Sequence, residues 1–189
     1  LAVEAATTDQ DRLRAMTGRI AALRKAADWT RLASVVEPAI ALASRAALLP
    51  TPHSDLELLQ TEVMWRTESD LERNLDRSLA CAFDETASAA HRAHAALLSA
   101  IVADNTCRFA DLTPLNYNVQ ALPNSTPSVQ ANVLAVQLVY HTVLGSLDSA
   151  FERSAALVAL ERNAGSVRGL AQALRFSTHS LRMLGKFHS

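Results

Sequence analysis

The chain has 189 residues, 49% hydrophobic and 20% charged, and a formal net charge of −1, so it carries no global attraction to nucleic acid or anionic lipid. Only five glycines and six prolines interrupt it and alanine is abundant, which favours helix over sheet and leaves little room for glycine-rich phosphate loops. Aromatic residues make up 5%, so the core must be mostly Leu, Val and Ala. Arginine outnumbers lysine 16 to 2. No secretory signal is visible, and no apolar run reaches the roughly 20 residues that cross a bilayer. The chain opens on Leu1 and not on Met, which fits a segment of a larger protein.

In chain order, residues 1–7 read as frayed. Thr8 with Asp11 forms a capping pair, and Leu13, Met16, Ile20, Leu23 and Ala27 then step by three and four, which predicts an amphipathic helix over 9–27. Asp28 caps a second helix carrying Trp29, Leu32, Val35, Val36, Ile40, Ala43 and Ala47. Pro38 inside it either kinks one helix or starts another. Two capping boxes, Ser54-Asp55-Leu56-Glu57 and Ser69-Asp70-Leu71-Glu72, predict helices over 55–67 and 70–104, with no Gly or Pro before Pro114 to break the second. Seven alanines between 87 and 100 would let a neighbouring helix approach closely.

Residues 105–125 have a different texture, with Pro114, Pro123 and four asparagines. Leu115, Tyr117 and Val119 alternate with Asn116, Asn118 and Gln120, which predicts a long irregular loop with extended backbone. From Thr126 the apolar residues Val129, Val133, Val136, Tyr140, Val143, Leu147, Ala150 and Leu157 keep one face, broken only by Ser154. Thr126 as cap, Pro127 at the first position and Gly165 past the end predict one central helix of roughly 50 Å. Ser166 caps a last helix with Val167, Leu170, Leu174, Leu181 and Leu184 on its apolar side. No internal repeat or low-complexity tract stands out.

The predicted fold is all-α: an elongated antiparallel bundle of five or six helices in a single domain over 1–189, with the 105–125 loop along its surface. Cys81 and Cys107 are expected as free thiols, which places the protein in an intracellular, reducing compartment. Asn124-Ser125-Thr126 matches a glycosylation sequon, but Pro127 follows directly and an unmodified loop is expected.

Chemistry is sparse. His91, His94 and Glu85 invite a metal reading, yet no Glu-x-x-His pair exists, so no metal is expected and the histidines read as core or boundary residues. No nucleophile elbow, Walker loop or dinucleotide fingerprint is present, so the expectation is no enzyme and no cofactor. Charge is more informative: 55–85 holds nine acids and three arginines, whereas 162–189 holds five basic residues and no acid. Arg168, Arg175 and Arg182, spaced by seven, share a face with His179 between them and Lys186 near the end, which reads by default as a solvated face or one packed beside the acidic helices, and more sharply as a docking face for an acidic partner.

These features predict a non-enzymatic protein–protein interaction or scaffold module, a subunit or segment of a larger assembly. It would bind a protein partner or itself through Arg168, Arg175, Arg182 and Lys186 and through Leu115, Tyr117 and Val119. Nucleic acid is disfavoured because the last helix lacks stacking aromatics. The alternative is a ligand-binding or regulatory helical domain with a pocket near Tyr140, His141 and His94.

Overall fold

The computed structural model describes residues 8–45, 55–67, 70–123, 126–183 and 185, the side chains of Asp55 and Arg168 excepted. Every regular element among them is helical. The chain divides into two compact units, Leu1–Asn74 and Leu75–Ser189. The first contains α1 (Asp9–Lys25), α2 (Trp29–Arg45) and α3 (Asp55–Arg66). The division falls in the first turn of α4 (Leu71–Phe83). The second unit continues with α5 (Ala89–Asn105), a 3-10 turn at Phe109–Asp111, α6 (Leu112–Gln120), α7 (Pro127–Val143), α8 (Leu147–Asn163) and α9 (Val167–Met183).

In the first unit the predicted stripes meet. Ile20 of α1, Leu32, Val35, Val36 and Ala39 of α2, and Leu59 and Val63 of α3 form its buried centre, flanked by Leu13, Met16, Leu23 and Trp29. Thr8 caps α1 by accepting a hydrogen bond from Asp11 N at 3.1 Å. Pro38 lies within a continuous α2, so it starts no second helix. Glu62 is 6% exposed and would be costly to bury alone. Arg24 Nη2 donates to its Oε2 at 2.7 Å. The Arg66 guanidinium lies over the rings of Trp65, at 4.2 Å, and Trp29, at 5.1 Å.

In the second unit each α-helix from α5 onward packs on its successor, and α7 also packs on α5 and α9. α7, α8 and α9 are each 17 residues long and begin at 127, 147 and 167, twenty residues apart. Gly145, Gly165 and Gly185 follow them at the same interval, all with positive φ (68°, 67° and 71°). At the first turn Gly145 N donates to Thr142 O at 3.1 Å and Ser146 N to His141 O at 2.9 Å, which closes the last carbonyls of α7 and reverses the chain. Gly165 and Ser166 repeat the pattern on Arg162 and Glu161.

Nine α-helices among the described residues replace the five or six expected. Three segments account for the difference. The single 126–165 helix is two, because Gly145 ends α7 and reverses the chain. The 70–104 helix breaks at 84–88, where Asp84 Oδ1 accepts from Thr86 N (2.9 Å) and Thr86 Oγ1 (2.7 Å) and Ser88 caps α5. Short polar side chains bonding the local backbone end a helix without Gly or Pro. The 105–125 segment is not an irregular loop. Leu112, Leu115, Val119 and Leu122 are buried at steps of three, four and three, with Pro114 near the start of α6 where its missing N–H costs nothing.

Asn118 is structural. Its Nδ2 donates to Ala82 O at 2.6 Å, Arg92 Nε donates to the same carbonyl at 3.3 Å, and Arg92 Nη2 donates to Asn118 Oδ1 at 2.7 Å. One carbonyl near the end of α4 thus collects α5 and α6. The two predicted capping boxes, Leu184 and the Asn124 sequon rest wholly or partly on residues outside the described ones.

Two stability predictions follow from this packing. Ala27 turns α1 into α2 with φ 55°, a conformation that disfavours a side chain. Ala27→Gly is therefore expected to raise the unfolding free energy by about 0.5–1 kcal/mol, and Gly165→Ala to lower it by about 1 kcal/mol. Chemical denaturation of the two variants checks the opposite signs. Arg24→Met strands the Glu62 carboxylate and is expected to cost about 2 kcal/mol, much of which the double change Arg24→Met, Glu62→Met restores.

Candidate functional site

The sequence-predicted contact residues separate in the structure. Leu115 (0% exposed) and Val119 (1%) are core residues of the α6 stripe, so they cannot form a contact edge, whereas Tyr117 is 66% exposed on the far side of the same helix. The alternation of Leu115, Tyr117 and Val119, which predicts extended backbone, is one subset of a helical pattern. On α9, Arg175 and Arg182 are exposed and make no ion pair with another described residue. His179, between them, reaches Asp104 Oδ2 at 3.5 Å. Lys186 and the Arg168 side chain lie outside the described residues.

α9 is sharply two-sided. Ala173, Ser177 and Ser180 are buried. Val167 (85% exposed) and Leu174 (48%), one heptad apart, border that buried face although the sequence stripe counts them with it, and Arg175 and Arg182 lie opposite.

Tyr140 and His141 stack edge-to-face at 5.2 Å between centroids. Half-burial of His141, aided by the nearby Arg153 charge, pushes its pKa below 6.5, against a smaller upward pull from Glu152. Its Nδ1 is buried and has no hydrogen-bond partner among the described residues. No group of three or more His, Cys, Asp or Glu among the described residues is placed to hold a metal. Neither Cys81, buried, nor Cys107, exposed, is in a disulfide.

A concavity lies elsewhere, among the first half of α7, the end of α8 and the start of α9. It is a cleft of about 360 Å³ lined by Ser128, Ala131, Asn132, Leu160, Glu161, Ser166, Gly169 and Gln172. It continues into a narrower pocket against Leu97, Ala135, Leu157, Ala173 and Phe176. Tyr140, His141 and His94 line neither part. Among the described residues Glu161 is the only charged side chain on the walls, joined by the carboxamides of Asn132 and Gln172.

Gly169 explains how the carboxylate is accommodated. It sits in the first turn of α9, where glycine costs the helix about 1 kcal/mol relative to alanine. A Cβ there would overlap the Glu161 carboxylate and come within 2.8 Å of Ser166 Oγ, which accepts from Gly169 N at 2.9 Å. The absent side chain makes room for the acid. The described lining residues hold one carboxylate, two carboxamides and two serine hydroxyls, a set rich in hydrogen-bond acceptors.

Sequence reasoning missed Glu161 because a lone acid near a helix end reads as solvated. The available signal was Gly169, an isolated glycine inside a helical pattern three residues after its cap.

Gly169→Ala is expected to change stability by less than about 1 kcal/mol, since better helix propensity offsets displacement of a flexible carboxylate. Side-chain NMR should show the Glu161 Hγ resonances move. His141 gives a pH signature. Its folded pKa lies below its unfolded value, so the unfolded chain takes up the proton first and stability falls as pH drops below about 6.5. His141→Gln should flatten that part of the stability–pH curve.

Compared with protein-family models, with curated proteins and with solved structures, the chain shows no significant match.

Proposed function

We propose that this chain is a non-enzymatic protein-interaction module, a segment or subunit of a larger assembly that binds a protein partner or a second copy of itself. The observation that carries the reading is the solvent-facing part of α9, where exposed Val167 and Leu174 run beside Arg175 and Arg182, which form no ion pair with a described residue. An apolar ridge flanked by cations is the composition of a contact surface in which burial supplies affinity and charge speeds encounter. Phe151 and Leu144, 56% and 57% exposed, add apolar area on α8 and its preceding turn. Tyr117 on α6 is a second exposed aromatic anchor of the kind that dominates binding energy. Helices of equal length stacked by short turns favour the same reading, because such arrays present extended surfaces. An intracellular, reducing location belongs to this proposal, supported by the exposed, unbridged Cys107.

The test is the triple variant Arg168→Glu, Arg175→Glu, Arg182→Glu. Thermal stability should shift by no more than about 0.5 kcal/mol per site. Association, read by light scattering for self-assembly and by quantitative co-purification for a partner, should weaken about tenfold or more at low salt and recover relative to the parent as salt rises. Tyr117→Ala should weaken it with little salt dependence. A lower melting temperature with association unchanged would show that the arginines only balance internal acids, and would overturn the docking surface.

A further inference from the structure

We infer that the cleft among α7, α8 and α9 receives the guanidinium of an arginine side chain carried by a protein partner. The inference rests on the interaction-module reading and names one of its contacts. Glu161 is the one charged group among the described residues of the cleft walls, and the missing Cβ of Gly169 leaves room for its carboxylate. Asn132 on α7 and Gln172 on α9 also line the cleft, each with a carboxamide whose oxygen can accept. A planar guanidinium carries five donors and no acceptor, so a carboxylate with two carboxamides satisfies it in a way that a single-point ammonium or an anion would not exploit. Ala131, Leu157 and Leu160 provide apolar wall for the methylene stem. The size also fits. About 360 Å³ lies at the low end for ligand sites and suits one side chain better than a large cofactor.

Glu161 has a competing role, since a carboxylate beside the start of α9 stabilises that helix through its dipole. The two roles separate experimentally. Amide and side-chain NMR on the full chain is used to titrate acetyl-Gly-Arg-Gly-amide, the matching citrulline peptide, and agmatine as a free guanidinium. The arginine peptide should produce saturable shifts at Gly169 and Gln172. The citrulline peptide, which keeps the shape and lacks the charge, should bind about tenfold more weakly. Glu161→Gln should reduce arginine-peptide affinity to the citrulline level, and Gly169→Ala, which retains the acid but displaces it, should reduce it as well.

Equal binding of the arginine and citrulline peptides overturns the inference. So does a melting temperature lowered by Glu161→Gln with peptide affinity unchanged, which leaves Glu161 as a helix-end charge only. Agmatine binding more tightly than the peptide overturns the protein-borne source and assigns the cleft to a small guanidine. Failure of the peptide arms with association intact in the α9 experiment refutes the cleft assignment alone, whereas loss of all association refutes the module reading beneath it.

Discussion

The α7–α8–α9 array depends on one backbone constraint, a residue held in the left-handed region just past the end of a helix. At Gly145 and Gly165 that conformation lets two successive N–H groups turn back onto the last carbonyls of the helix. The chain reverses within three residues, and the next helix lies against the one just finished. α7, α8 and α9 are equal in length because the turns recur at equal intervals. Their packing brings Asn132, Glu161 and Gln172 to one place. The same turn geometry occurs at Ala27 and Cys107, where a side chain must tolerate it.

The apolar faces of α1, α2 and α7 are legible from spacing alone, and Ile20, Val35, Val129 and Val136 are buried as their stripes imply. The breaks were harder to read. From Val143 to Leu147 to Ala150 the steps of four and three run through the turn at 144–146 without losing phase, so periodicity continues where the helix does not. Counting steps cannot tell one helix from two that bury toward a common core. The distinguishing residues were Gly145 with Ser146, the pair that repeats at Gly165 with Ser166. In α6 the error ran the other way. Tyr117 lay between Leu115 and Val119 and made a period of two visible, while Leu112 and Leu122 carried the true period.

Candidate function was less legible for a physical reason. The spacing of Arg175 and Arg182 implies one shared helix face, and both side chains are exposed. A cleft is produced by elements far apart in sequence: Asn132 and Gln172 are forty residues apart and neither belongs to a motif. Only the unexplained glycine at 169 hinted at the arrangement, and its meaning required the position of Glu161.

The shared carbonyl of Ala82 bears on the order in which the unit assembles. The α7–α8 and α8–α9 hairpins close between neighbours in sequence, so their loops carry little closure entropy and can form early. Ala82 O waits for Arg92, ten residues on, and for Asn118, thirty-six residues on. Its three-way junction cannot be complete until α6 is in place. The end of α4 thus joins the body through contacts of longer sequence separation than the two helical hairpins make.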